Sequence, residues 1–216
     1  MRLGIFGTGM VGQAIGSKLI QLGHEVKMGS RTPSNEKAAE WVRGNGPHAS
    51  QGTFADAAAF GEILFNCTPG AASIEVLKQA GERNLGGKVL VDISNPLDFS
   101  HGMPPTLTVC NTDSVGEQLQ RTFPQAKIVK ALNTVNCNVM VNPSLVPGDH
   151  DLFICGNDPT AKAKVREILT KWFGWKSVTD LGDISNARGT EMYLPLWVRL
   201  FSLYQTPNFN IKIVKA

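Results

Sequence analysis

The sequence is poor in charged residues, and its four cysteines are widely separated. Charged side chains make up 18% of the 216 residues, too few to indicate long disordered tracts. The net charge of +3 is too small to indicate a nucleic-acid-binding protein. The cysteines form no C-x-x-C pair and share no ligand spacing with the histidines. This spacing argues against a zinc site or a disulfide framework and favours free thiols in a reducing cytoplasm.

Long apolar runs and a leader-like N-terminus are also missing. The longest strongly apolar stretch near the end, residues 193–204, contains Arg199 and is too short to span a bilayer. The first six residues, MRLGIF, run directly into a strand-like segment without the layout of a signal peptide. We therefore expect a soluble, cytoplasmic protein with neither a membrane nor a nucleic acid among its partners.

Apolar runs alternate with amphipathic segments along most of the chain. This alternation is typical of βαβ units and predicts an α/β fold with a doubly wound, mostly parallel sheet. Asn35 is a plausible cap for the second helix, and Gly44 is its expected stop. The predicted strands are 2–6, 25–28, 48–51, 62–66, 88–92 and 127–132, and the predicted helices are 10–22, 35–44, 54–60, 71–80 and 114–122.

The second half of the chain has fewer elements. Residues 95–113 are rich in proline, glycine and polar residues and predict a long loop. Residues 151–180 predict a further strand, helix and strand, and residues 185–204 predict a single final helix. That last helix would form a short C-terminal extension to the sheet domain.

A glycine-rich motif lies between the first strand and the first helix, where residues 7–12 read GTGMVG. In G-x-G-x-x-G, the first glycine permits a tight turn, the second admits a pyrophosphate, and the third lets helix and strand pack closely. The positive end of the helix then faces the phosphates. This context predicts a dinucleotide-binding Rossmann fold. The expected contacts are Gly7, Thr8, Gly9, Met10, Val11 and Gly12.

The end of the second strand indicates which dinucleotide binds. Enzymes that use NAD usually place a carboxylate there, about 20 residues after the glycines, to bind the ribose 2′-hydroxyl. Residues 28–32 read MGSRT, and the next carboxylate is that of Glu36. Ser30 offers a hydrogen bond, Arg31 a charge-assisted fork, and Lys37 a further point charge for a 2′-phosphate. The sequence therefore predicts NADP (NADPH).

Further candidate residues follow the later strands. Ligands of α/β proteins bind at the carboxyl ends of parallel strands, and backbone groups there can flank the ribose and the nicotinamide. Asn133 has two interpretations: it orients the carboxamide or partner ring, or it ties two loops together. The candidates of this group are Cys67, Thr68, Pro69, Asn95, Pro96 and Asn133.

Six motifs occur in order along nearly the whole chain: GTGMVG at 7–12, GSR at 29–31, CTP at 67–69, DISNP at 92–96, KALNT at 130–134 and SNAR at 185–188. In these motifs the sequence resembles the NADPH-dependent coenzyme F420 reductase family, the F420-dependent NADP oxidoreductases. It is also similar to the soluble oxidoreductase domain of the STEAP metalloreductases.

The resemblance implies an NADP-binding Rossmann domain over residues 1–182 and a C-terminal helix and tail over 183–216 that covers the cleft. It also implies that a second redox molecule, the deazaflavin F420 or a flavin, lies against the nicotinamide. Family contacts to the 2′-phosphate carry over onto Thr8, Ser30 and Arg31. Residues 134–138 (TVNCN) depart from the small-residue sequence of F420-using members, which leaves the acceptor open.

The remaining residues predict no catalytic acid or base and no metal site. No histidine occupies a strand end and no Tyr-x-x-x-Lys pair is present, and hydride transfer between two cofactors needs little proton transfer from the protein. Cys67 and Cys137 are expected to be packing residues. Trp197 and Phe201 of the last helix either pack on the sheet, line the cleft or contact a second copy in a homodimer.

Two other functions remain open at this stage. The first is a non-catalytic NADP(H)-binding sensor or regulatory protein, which would bind the dinucleotide tightly without turnover. The second is a reductase of a small imine or carbonyl substrate. Such reductases add a large helical domain after the Rossmann half, and few residues follow the last predicted strand here.

Overall fold

The computed structural model describes all 216 residues. Its strands are β1 (Arg2–Phe6), β2 (Glu25–Ser30), β3 (Ala49–Thr53), β4 (Ile63–Asn66), β5 (Val89–Asp92), β6 (Leu97–Asp98), β7 (Thr106–Leu107), β8 (Lys127–Ala131), β9 (Asp151–Gly156) and β10 (Ser177–Asp180). Its α-helices are α1 (Met10–Gln21), α2 (Glu36–Asn45), α3 (Phe54–Phe60), α4 (Gly70–Ala80), α5 (Glu82–Leu85), α6 (Val115–Thr122), α7 (Cys137–Val141), α8 (Pro159–Glu167), α9 (Ala187–Met192) and α10 (Leu194–Tyr204).

Eight strands form one sheet in the order β10-β9-β8-β5-β4-β1-β2-β3. The six strands from β8 to β3 are parallel, β9 pairs antiparallel with β8, and β10 pairs parallel with β9. The predicted doubly wound, mostly parallel α/β sheet is therefore confirmed. The strand order changes direction between β1 and β4, so the chain leaves a crevice at the carboxyl ends of these two strands.

Helices cover both faces of the sheet, and alternate strand residues supply the two cores. Ile5 and Phe65 are fully buried on the face covered by α1, α2, α7 and α8. Phe6 and Leu64 are fully buried on the opposite face, against α3, α4 and α6. Because both faces of each central strand are buried, the strands read as continuous apolar runs instead of alternating ones.

The single final helix predicted over residues 185–204 is wrong. A 3-10 turn (Ile184–Asn186) precedes α9, which ends at Met192, and Tyr193 separates it from α10. Pro195 explains the break, because proline has no N–H to donate to the carbonyl of Glu191 one turn earlier. No helix of the structure combines the length and the apolar character that crossing a membrane requires.

Other differences concern the loops. Residues 95–113 form the predicted loop, but β6 and β7 pair within it as a short antiparallel ribbon. The short helix α7 was not predicted from the sequence; its cap is Asn136, whose side chain accepts from the Asn138 N–H at 3.0 Å. Asn35 caps α2 as expected, whereas the helix continues past Gly44 to Asn45 and has Gly46 as its C-cap.

A buried ion cluster joins the C-terminal helices to the sheet. Lys130 Nζ, at the end of β8, lies 2.6 Å from Asp92 Oδ2 and 2.7 Å from Glu191 Oε1 of α9. It also donates to the carbonyl of Ser94 at 2.7 Å. Burial alone would lower the pKa of Lys130, but the two carboxylates outweigh that penalty and hold its pKa above the ordinary value. The lysine therefore stays charged inside the protein.

Candidate functional site

A cleft of about 830 Å³ opens at the carboxyl ends of β1, β2, β4 and β5. This volume is in the range of small-molecule sites, and the crevice at a change of strand order is the usual ligand site of such sheets. Twenty residues line it: Gly7, Thr8, Gly9, Met10, Val11, Ser30, Arg31, Thr32, Asn35, Phe54, Cys67, Thr68, Pro69, Ala72, Val76, Ile93, Ser94, Asn95, Leu97 and Phe99. No residue of 183–216 lines the cleft within one chain.

The turn between β1 and α1 depends on close backbone contacts. Gly7 has a φ of +110°, and its N–H donates to the Gly29 carbonyl at 3.1 Å. A Cβ on Gly12 would lie 2.3 Å from the carbonyl oxygen of Gly7, so only glycine lets the helix approach the turn this closely. Gln13 Nε2 holds the turn from outside by donating to the Thr8 carbonyl at 3.0 Å. Gly12 itself supports the turn without lining the cleft.

Gly9 faces the cleft and has a different environment. It caps α1 with no side-chain hydrogen bond, and no acidic residue lies in the first turn of that helix. A Cβ on Gly9 would meet no atom within 4 Å. The first N–H groups of an α-helix have no intrahelical partner and carry the positive end of its dipole. The start of α1 therefore presents unpaired donors to open space, the arrangement that binds phosphates.

The end of β2 supplies the only charged side chain of the cleft, that of Arg31, which is exposed. Ser30 is buried beside it, and its hydroxyl donates to the Thr32 carbonyl at 2.7 Å, so the hydroxyl must rotate before it can donate to a ligand. Thr32 and Asn35 also line this end, although the sequence analysis did not select them. Lys37 is exposed on α2 and does not line the cleft.

The turn after β4 forms the opposite wall. Thr68 donates to Asn66 Oδ1 from both its backbone N–H, at 3.3 Å, and its hydroxyl, at 2.6 Å. The Gly70 N–H donates to the Asn95 carbonyl at 3.0 Å, which fixes this turn against the one after β5. Burial raises the pKa of the Cys67 thiol, and the nearby Asp92 carboxylate adds to that shift. Cys67 therefore stays protonated and contributes packing to the cleft wall.

Asn133 pairs with Asn95 in a reciprocal contact. Asn95 Nδ2 donates to the Asn133 carbonyl at 2.9 Å, and Asn133 Nδ2 donates to Asn95 Oδ1 at 3.0 Å. Of its two interpretations, the geometry supports the tie between the loops that follow β5 and β8. Asn133 and Pro96 are buried behind the cleft, whereas Asn95 lines it.

An apolar patch continues the cleft beyond Asn95. It consists of Ile93, Leu97 and Phe99, and Phe99 is 56% exposed. The sequence analysis did not select these residues: Ile93 lies inside the DISNP motif, and Leu97 and Phe99 follow it in a segment read only as loop. The cleft lining contains no histidine, lysine, tyrosine or carboxylate. The cleft thus combines helix N–H donors, one arginine and an apolar end, and it offers no side chain that readily donates a proton.

A family model described as "NADP oxidoreductase coenzyme F420-dependent" matches residues 2–96. The F420-dependent NADP reductase of Methanocaldococcus jannaschii is 31% identical over 159 residues, which cover 73% of this chain and 70% of that protein. Metalloreductase STEAP3 of Rattus norvegicus is 28% identical over 202 residues, 91% of this chain but only 38% of STEAP3. The resemblance read from the six motifs is confirmed.

Solved structures give the same family and a wider fold group. A crystal structure from Arthrobacter sp. FB24, provisionally named an F420-dependent NADP reductase, is 50% identical with a TM-score of 0.94, and the match covers 99% of each chain. An imine reductase from Myxococcus stipitatus, in complex with NAD⁺, shares the fold at 19% identity and a TM-score of 0.64. That match covers 94% of this chain and 63% of the imine reductase.

We expect substitutions of Gly9 and Gly12 to have opposite effects on binding and stability. Gly9→Val should leave the free energy of unfolding within about 0.5 kcal/mol of wild type, because the new side chain meets no protein atom. It should abolish dinucleotide binding by filling the space in front of the α1 N–H groups. Gly12→Ala should lower the free energy of unfolding by about 1–3 kcal/mol, since the backbone of the turn must move.

Urea unfolding and fluorescence titration with NADPH measure the two quantities. Retained binding by folded Gly9→Val protein would contradict the role assigned to the start of α1. Unchanged stability of Gly12→Ala would contradict the close contact with Gly7.

Proposed function

The chain belongs to the family of F420-dependent NADP reductases, and on that premise we propose that it transfers hydride between NADP(H) and a flavin-like acceptor that lies against the nicotinamide. The observation that carries the proposal is the charge of the cleft. Arg31 is its only charged side chain, and no carboxylate faces the end of β2. A 2′-phosphate gains a guanidinium partner there and meets no like charge.

The residues present fit NADP(H). Gly9 leaves the space in front of α1 free for the pyrophosphate, and Gly7 and Gly12 keep the turn narrow. Thr8, Ser30 and Arg31 are the proposed 2′-phosphate contacts. Thr68 and Asn95 are the proposed neighbours of the ribose and nicotinamide, because they wall the cleft where the strand order changes. Lys37 is a weaker candidate, since it lies outside the cleft.

The acceptor side of the proposal rests on the apolar patch of Ile93, Leu97 and Phe99. NADPH, when bound, supplies the hydride, and a planar ring system accepts it with little acid–base help from the protein. The patch offers such a ring an apolar surface, and the lack of a proton-donating side chain favours this acceptor over a carbonyl or an imine. We propose the deazaflavin F420 as the acceptor, with FMN and FAD as the nearest alternatives.

A second copy of the chain is the proposed partner. Helix α10 exposes Leu196 (53%) and Leu203 (70%), which lie seven residues apart and therefore on one face, with Arg199 between them. Phe201 and Tyr204 are also exposed, on other sides of the helix. Arg199 is its only charged residue. We propose a homodimer through this face, with residues 1–182 as the NADP-binding domain and 183–216 as the dimer contact that covers the cleft in the assembly.

We place this activity in the cytoplasm. All four cysteines are free thiols, and one of them, Cys110, is exposed. Free thiols persist in a reducing compartment.

Arg31→Ala should weaken NADPH binding about 10- to 100-fold, because a charge-assisted hydrogen bond to phosphate contributes about 1.5–3 kcal/mol. NADH, which lacks the 2′-phosphate, should bind the variant as it binds wild type. Fluorescence titration with both dinucleotides measures the ratio. Arg43→Ala, an exposed arginine in the last turn of α2 that does not line the cleft, is the matched control and should change neither affinity. An equal loss for NADPH and NADH would refute the proposed role of Arg31.

The acceptor is identified by following NADPH oxidation by absorbance with F420, FMN, FAD, a cyclic imine, a ketone or no acceptor. We expect rapid turnover with F420 or one flavin, specific for NADPH over NADH. Turnover with the imine or ketone would replace this proposal by a small-substrate reductase. Tight NADPH binding without turnover on any acceptor would identify a non-catalytic NADP(H) sensor.

Sedimentation tests the dimer. We expect wild-type protein to sediment as a dimer and the double variant Leu196→Lys/Leu203→Lys to sediment as a folded monomer, since two charges would lie in an apolar interface. Leu145→Lys, at a 43% exposed apolar position outside residues 183–216, is the matched control and should remain dimeric. A monomeric wild type at micromolar concentration would overturn this part of the proposal.

A further inference from the structure

A continuous line of buried polar contacts runs from the C-terminal helix α9 to the wall of the cleft. Glu191 contacts Lys130, and Lys130 contacts Asp92, at 2.7 and 2.6 Å. Asn66 Nδ2 donates to Asp92 Oδ1 at 2.8 Å, and Asn66 Oδ1 accepts from the Thr68 hydroxyl at 2.6 Å. Asp92 and Lys130 begin two of the six sequence motifs, yet neither lines the cleft. Direct contacts with the dinucleotide therefore do not explain why Asp92 and Lys130 occur in these motifs.

Asp92 and Ser73 together determine which way the Asn66 amide points, because Asn66 Nδ2 donates to Asp92 Oδ1 at 2.8 Å and to Ser73 Oγ at 2.9 Å. Asp92 Oδ1 also accepts from the backbone N–H and hydroxyl of Ser94, at 3.2 and 2.7 Å, so the carboxylate is held from several sides. It accepts from the amide NH₂ and would repel the amide oxygen. The oxygen of Asn66 must consequently face Thr68, where it receives both the N–H and the hydroxyl. A rotated amide would place its NH₂ group against the Thr68 N–H and its oxygen against the Asp92 carboxylate, and Asn66 is fully buried.

Glu191 anchors the other end of the line. Its carboxylate accepts from the N–H groups of Val115 and Gly116, at 2.8 and 3.1 Å, in the first turn of α6. It is 1% exposed, so it holds Lys130 without competition from solvent. Any change in Glu191 therefore reaches Asp92 through the lysine that both carboxylates share.

We propose that Glu191 is a positioning residue for the dinucleotide cleft, acting through Lys130, Asp92 and Asn66 on the Thr68 turn. The inference rests on the proposed NADP(H) binding. In this proposal the C-terminal segment contributes to dinucleotide binding even though none of its residues lines the cleft. Because Thr68 lies away from Arg31, the line affects the part of the ligand that NADPH and NADH share.

A double-mutant cycle tests this line, with affinities measured by fluorescence titration on folded protein. Glu191→Gln should weaken NADPH and NADH binding about fivefold each, and Asn66→Ala about tenfold each, the size of one misplaced hydrogen bond. The ratio of the NADPH affinity to the NADH affinity should stay at its wild-type value. If Glu191 acts through Asn66, the double variant should bind no more weakly than Asn66→Ala alone. Should Asn66→Ala not fold, Asn66→Ser takes its place in the cycle.

Arg188→Gln is the matched control. Arg188 joins the same two helices, α9 and α6, through a two-pronged ion pair with Glu117, but no contact leads from that pair to the cleft. A role limited to helix packing predicts that Arg188→Gln and Glu191→Gln both lower stability and leave both affinities unchanged. The positioning role predicts that only Glu191→Gln alters the affinities.

The outcomes separate this inference from the proposed function. If wild-type protein fails to bind NADPH, both are overturned. If wild type binds and Glu191→Gln binds equally well, only the positioning role is overturned. The same conclusion follows if the effects of Glu191→Gln and Asn66→Ala multiply to about fiftyfold, because independent effects would mean that no line connects them.

Discussion

The ammonium group of Lys130 is the one cation enclosed in the protein interior, and the central part of the structure is arranged around it. A buried charge without partners costs several kcal/mol, so its three donors must each find an acceptor. The ammonium group contacts oxygens on three separate segments: it donates to the carbonyl of Ser94 and forms ion pairs with Asp92 at the end of β5 and with Glu191 in α9. The end of the sheet and the C-terminal helices are consequently interdependent, because each completes the surroundings of the same charge.

The cleft differs from this buried cluster, because the groups available to bind a ligand are backbone N–H groups and one exposed cation instead of several charged side chains. The N–H groups at the start of α1 are unpaired, the second motif glycine leaves the space before them empty, and Arg31 stands at the far end. Such a site attracts phosphate groups without a buried charge of its own. Its opposite end, around Phe99, is apolar and open, as expected where a second planar molecule approaches.

The C-terminal segment links these two regions. Pro195 divides the final helix into α9 and α10. Glu191 of α9 contacts the buried lysine, and α10 exposes Leu196 and Leu203. The same segment thus acts on the cleft wall through Glu191 and, in the proposed dimer, contacts the second copy through α10.

Local and short-range patterns in the sequence determined much of this protein. Alternating apolar runs gave the strands and helices, and GTGMVG in its strand–helix context gave the turn and the place of the cleft. MGSRT gave Arg31 and the absence of a carboxylate beside it. These features depend on residues close together in the chain, where spacing and backbone chemistry are decisive.

The tertiary structure decided the rest. Only folding shows that Asn133 pairs with Asn95, that Lys37 lies outside the cleft, and that Phe99 lines it. Only folding brings Glu191 to Lys130, because contacts between residues 61 positions apart leave no periodic mark in the sequence and are set by how the elements pack.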